Sequence, residues 1–103
     1  MSIDSIGRLD ERMKVVAHEP ASWLLLHKKS AYYLEVPCSL YGNNFNLLIK
    51  LTEDECKQYE KFGTGFIQDM VVKIQSFPQA YYTRNQSIAL QKTVGEAILA
   101  WRR

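Results

Sequence analysis

Gly42-Asn43-Asn44 lies between two runs in which apolar residues recur at every second position. Before it, Tyr32, Leu34, Val36 and Cys38 alternate with Tyr33, Glu35 and Pro37. After it, Phe45, Leu47, Ile49 and Leu51 alternate with Asn46, Leu48 and Lys50. Period two with one apolar face describes a half-buried strand. Gly and Asn tolerate the positive φ that a tight reversal needs. The pattern therefore predicts two antiparallel strands over 31–39 and 44–51. Pro37 can donate no ladder hydrogen bond, so the first of them has a free edge, or ends, at that point. Upstream, Trp23 to His27 is an apolar run of strand length, and Lys28-Lys29-Ser30 is a polar break of hairpin size. Adding a strand over 22–28 gives a three-stranded antiparallel meander.

The flanking segments read as helical. Ile3, Ile6, Leu9, Met13 and Val16 recur every three to four residues, which predicts an amphipathic N-terminal helix over 3–17. Gly7 weakens that helix, and Met13-Lys14-Val15-Val16 can instead begin a strand. Pro20 stops the element in either case. Thr52 followed by Glu55 is a capping box, with Glu53, Asp54 and Glu55 in the first turn of a short helix over 52–62 that Gly63 closes. Phe66, Ile67, Met70, Val71, Ile74 and Phe77 mark a second helix over 65–77, ended by Pro78. Gln79 to Gln86 is polar and aromatic and reads as a loop. Ser87 can cap a third helix with a face of Leu90, Val94, Ala97, Ile98 and Trp101. The expected fold is α+β: a three-stranded antiparallel meander sheet packed by an N-terminal helix and two to three C-terminal helices. One sheet face is covered, and residues 1–103 form a single domain.

Composition narrows the functional classes. Of 103 residues, 47 % are hydrophobic and 23 % charged, near the globular average, which argues against a disordered chain, a collagen or a disulfide scaffold. Thirteen basic against eleven acidic residues leave +2, too near neutral for a dedicated nucleic-acid or polybasic membrane protein. No apolar run approaches the eighteen or so residues of a membrane helix. The first ten residues lack the basic and apolar regions of a signal peptide. The cytoplasm is the simplest location, and in that reducing compartment Cys38 and Cys56 read as buried thiols.

Catalytic and metal motifs are weak. His18, His27, Cys38 and Cys56 are the soft ligands, and no pair has C-x-x-C or H-x-x-x-H spacing, so neither metal nor cofactor is expected. Cys38 shares an apolar face with Leu34 and Val36, which raises a thiol pKa, and Cys56 lies beside acidic groups that disfavour a thiolate. No nucleophile elbow, P-loop or glycine-rich dinucleotide turn occurs. Two features fit a binding surface better. Glu53, Asp54, Glu55 and Glu60 form the dense acidic cluster, suited to a basic partner or simply complementing a helix dipole. Tyr81-Tyr82-Thr83-Arg84-Asn85 places two aromatics and an arginine on an irregular segment, where either both tyrosines are offered to a partner or one folds into the core.

The block Tyr32-Tyr33-Leu34-Glu35-Val36, then Phe45 through Glu55 with its L-T-x-x-E helix start, then Tyr59-Glu60-Lys61-Phe62-Gly63 resembles the small α+β immunity proteins that bacteria encode beside polymorphic toxins. These belong to contact-dependent, Rhs and type VI secretion systems of bacterial competition. The resemblance spans residues 22–84 and includes Arg84 after its tyrosine pair. It implies an antitoxin that binds its cognate toxin, such as the C-terminal domain of a secreted effector, and blocks or distorts the toxin's active site. Nuclease inhibitors are often acidic, so a slightly basic chain points to a toxin of another class or to a local acidic patch.

The function expected from these observations is a non-catalytic, protein-binding toxin inhibitor. Its contact residues would be Glu53, Asp54, Glu55, Tyr81, Tyr82 and Arg84. The alternative is a small nucleic-acid-associated regulator using Tyr33 with Lys28, Lys29 and Lys50 on an open sheet face. A small enzyme using Cys38 or Cys56 is a third reading. An open sheet also has edges that can pair, which leaves room for a homodimer.

Overall fold

Leu24-Leu25-Leu26 and Leu47-Leu48-Ile49 set the architecture. Successive strand residues point to opposite faces, so an unbroken apolar triplet can bury itself only if both faces are covered. In the computed structural model, which describes residues 12–102, both faces are covered. This corrects the expectation of helices on one face.

The sheet has four antiparallel strands in the order β1 (Lys14–His18), β2 (Leu24–Lys28), β3 (Ala31–Leu40) and β4 (Asn43–Lys50). The expected meander is present as β2, β3 and β4. The additional β1 falls on residues assigned to the N-terminal helix, so the strand reading of Met13 onward holds for 14–18. Residues 3–11 of that helix lie outside the described residues. A bulge between Val15 and Ala17 leaves Val16 exposed on the β1 edge.

The turns follow from backbone sterics. Lys28 pairs with Ala31, leaving Lys29-Ser30 as a two-residue hairpin with Lys29 at φ 57°. Leu40 pairs with Asn43, so the second reversal is Tyr41-Gly42, one residue earlier than Gly42-Asn43-Asn44 indicated. Tyr41 (φ 53°) and Gly42 (φ 81°) both take positive φ, the pattern of a type I′ turn, whose twist matches that of the strands. β3 outruns β2, whose pairing stops at Leu24 opposite Glu35. Pro37 therefore sits beyond the paired length of β2, in register with Asn46 of β4 alone.

Three helices and one 3₁₀ segment follow among the described residues: α1 (Glu53–Phe62), α2 (Thr64–Ser76), the 3₁₀ helix Pro78–Arg84, and α3 (Gln91–Arg102). Gly63, at φ 69° and ψ −150°, joins α1 to α2 in a conformation open to glycine, and its N–H donates to the Tyr59 carbonyl at 2.7 Å. The segment read as a loop is the 3₁₀ helix. α3 starts at Gln91, with residues 87–90 in a turn before it, rather than at a Ser87 cap.

The first face carries Leu25, Leu34, Val36, Cys38, Leu47 and Ile49, packed on Ile67, Met70, Val71 and Ile74 of α2; Cys56 and Tyr59 of α1 border this cluster. Phe77, expected on that face, is 68 % exposed. The second face buries Leu26 and Leu48 with Met13 under Val94 and Ala97 of α3. Trp101, expected on the α3 core face, is 40 % exposed and meets His18 edge-on at 4.8 Å between centroids. No described helix is long and apolar enough to cross a membrane.

Candidate functional site

Thr52 ends the sheet and starts α1. Its hydroxyl accepts the Glu55 N–H at 3.1 Å, and Glu55 Oε1 accepts the Thr52 N–H at 2.8 Å, closing the expected capping box. The box turns the Glu55 carboxylate back along the helix start, where Arg84 meets it. Arg84 Nη2 donates to Oε1 at 2.6 Å and Nη1 to Oε2 at 3.2 Å, while Nη2 also donates to the Lys50 carbonyl at 2.9 Å. One guanidinium thus fastens the end of β4, the start of α1 and the end of the 3₁₀ helix.

Burial works against the Glu55 carboxylate, but the bonds from Arg84 and Thr52 and the Arg84 charge outweigh it and hold the carboxyl below its usual value. The Arg84 guanidinium also lies 5.7 Å from the Tyr81 ring centroid. Tyr81 is half-buried against the first-face cluster. Tyr82 stays 46 % exposed, with its ring edge-on to Phe45 at 6.2 Å between centroids. Of the two readings offered for the tyrosine pair, one ring in and one out is the arrangement found.

Asn85 continues the fastening. Its Oδ1 accepts the Leu48 N–H at 2.9 Å and the Ser87 N–H at 3.1 Å, and Gln86 N–H donates to the Leu48 carbonyl at 2.8 Å. These contacts cover part of the β4 edge, a strand edge otherwise open to pairing.

The six sequence-derived contact residues therefore fall into two groups. Glu55, Arg84 and Tyr81 are tied to one another or to the core. Glu53, Asp54 and Tyr82 remain exposed on the segments that the Arg84–Glu55 bond joins. The Lys50 carbonyl and Phe45 complete the frame and were missed as site residues, and Asn85, named within the aromatic segment, was given no role, because each acts through a contact across the fold that no local pattern announces.

The groups behind the other readings are placed differently. Tyr33 is half-buried against the second-face cluster, so its ring is not a free stacking platform. Burial pushes the Cys38 thiol up. For Cys56, burial again dominates, with the Glu60 and Glu55 charges adding to it against opposing contributions from the Tyr32 backbone and Lys50. Both shifts disfavour a thiolate. Among the described residues no three His, Cys, Asp or Glu side chains converge as a metal would require.

Comparison with family models, with curated proteins and with solved structures returned no match.

Proposed function

We propose that this chain is a non-catalytic protein-binding inhibitor, an immunity protein that neutralises a cognate bacterial toxin in the cytoplasm by direct contact. The observation that carries the reading is the Arg84 fastener. It holds an acidic helix start and an aromatic 3₁₀ turn in one fixed arrangement before any partner arrives. Binding costs side-chain and loop ordering, and a face already ordered by internal bonds avoids much of that cost. Tyr82 supplies an amphipathic anchor with few rotatable bonds, and Glu53 and Asp54 supply a charged rim that selects a basic partner. Glu55, Tyr81 and Arg84 act here by holding the face rather than by being consumed in the contact.

The test is affinity capture of the tagged chain from its native cell, beside the triple variant Glu53→Ala/Asp54→Ala/Tyr82→Ala. The expected result is a stoichiometric complex with the C-terminal domain of a secreted protein, weakened at least about tenfold in the variant, which is 1.4 kcal/mol. Recovery of nucleic acid with a steep salt dependence, or of the chain alone, overturns the reading.

A further inference from the structure

We propose that the groove between the second sheet face and α3 binds an arginine side chain presented by a protein partner, with Glu35 as the receiving carboxylate. This surface lies across the sheet from the face fastened by Arg84, and the inference goes beyond the function proposed above without resting on it.

Glu35 lies on β3 between Leu24 of β2 and Leu48 of β4, at a position whose neighbours pack into the second-face cluster. An aliphatic residue there would simply extend that cluster. Instead a half-buried carboxylate stands at the junction of two adjoining cavities of about 380 and 580 Å³. Among the described residues nothing donates a hydrogen bond to it and no cation lies within ion-pair distance. Burial alone acts on it, and raises its carboxyl above the usual value.

The walls of the smaller cavity include Leu48, Val94 and Ile98, with Asn46 and Gln91 as polar groups. A groove with apolar walls and a carboxylate in its lining matches an arginine side chain: an aliphatic stem, and a planar guanidinium that pairs with a carboxylate by two parallel bonds and is weakly hydrated. The larger cavity is also lined by His18, Glu19 and Arg102. Two carboxylates, Glu19 and Glu35, against the one Arg102 guanidinium in that lining favour an incoming cation.

Gly95 is the second observation. It lies within α3, where glycine is a poor helix former, and it lines the same cavity. A Cβ built there meets nothing within 4 Å, so close packing does not require glycine. Its missing side chain adds to the open space of the groove that Glu35 lines.

The experiment titrates the full chain with acetyl-Leu-Arg-Leu-amide and, separately, with the neutral citrulline counterpart, following backbone amide NMR shifts. Saturable shifts centred on Leu48, Gln91 and Gly95 are expected, with a dissociation constant on the order of 10⁻⁴–10⁻³ M for so small a probe. Glu35→Gln, which keeps the side-chain shape, should weaken binding at least about fivefold, and the citrulline peptide should lose as much, as removal of a charge-assisted pair requires. Gly95→Leu should block the groove. Equal binding of both peptides, indifference to Glu35→Gln, or shifts centred on Glu53 and Asp54 overturns the proposal. If Gly95→Leu disturbs the fold, the isosteric variant and the citrulline peptide still decide. The toxin plays no part in this titration, so its outcome is separate from that of the capture experiment.

Discussion

Glu55 and Glu35 are both half-buried glutamates, on opposite sides of one sheet, and their environments drive them in opposite directions. Glu55 is met by a capping box and a two-pronged guanidinium, and its carboxyl is held low. Glu35 meets no partner among the described residues, and its carboxyl is raised. Partial burial is common to both, so burial does not decide the sign; the presence of donors does. The faces differ in the same sense. The first packs a long cluster between the strands and α2, whereas the second has a shorter cluster under α3 and a groove beside it. At Glu55 the chain itself supplies the donors, whereas at Glu35 the described residues supply none.

Four measurements break or sharpen that contrast. The largest effect belongs to the deeper face. Ile74 is fully buried there, and Ile74→Ala should cost about 2–4 kcal/mol in denaturant unfolding. Val94→Ala on the thinner face should cost clearly less, and equal losses would mean that the two faces are equally packed.

Arg84→Ala comes next. It places Glu55 in the situation of Glu35, and should lower stability by about 1–2 kcal/mol at neutral pH, allowing for the water that still reaches the pair. Because the folded state holds the Glu55 carboxyl low, its contribution is present above the unfolded value of about 4.3 and is lost as pH falls through the lower folded value. The gap between wild type and Arg84→Ala should therefore close in acid; a gap unchanged at pH 2 would show that the guanidinium acts through packing on Tyr81.

Gly95→Ala should gain about 0.5–1 kcal/mol, since an added Cβ meets nothing and the helix favours alanine. A loss would mean that α3 needs its glycine for packing rather than for the groove.

The smallest effect is that of Glu35→Gln, a gain of a few tenths of a kcal/mol, roughly, at pH 7 once solvent screening is allowed for. Its sign is opposite to that of Glu55. A raised folded carboxyl contributes stability below about pH 4.3 and loses it as pH rises through the folded value. Wild type and Glu35→Gln should accordingly converge in acid and separate near neutrality, as read by thermal unfolding across pH.

Much of the fold is readable in short stretches of chain. The alternation on either side of Gly42 marks β3 and β4, Thr52 and Glu55 mark the start of α1, and Gly63 marks its end, because strand period, capping and positive φ depend on a handful of adjacent residues. β1 was harder to read. Lys14–His18 is five residues long, and its apolar positions also fit the helical spacing that begins at Ile3, so periodicity favoured the longer pattern. The second covered face was present in the sequence as two unbroken apolar triplets, a signal that strand geometry makes specific.

The candidate face was partly legible. All six residues lie on the two segments that the fold fastens together, yet their division into holding and exposed groups was hidden. Arg84 reaches Glu55 across 29 residues of chain and Asn85 reaches Leu48 across 37. Whether a carboxylate is answered, as Glu55 is, or left open, as Glu35 is, depends on which distant donors the packed fold delivers to it. Local pattern sets where a side chain begins, through turns, caps and alternation that act over a few residues. Electrostatic partnership is settled later, because the energy of a half-buried charge depends on everything within a few ångströms, and those neighbours come from the whole chain.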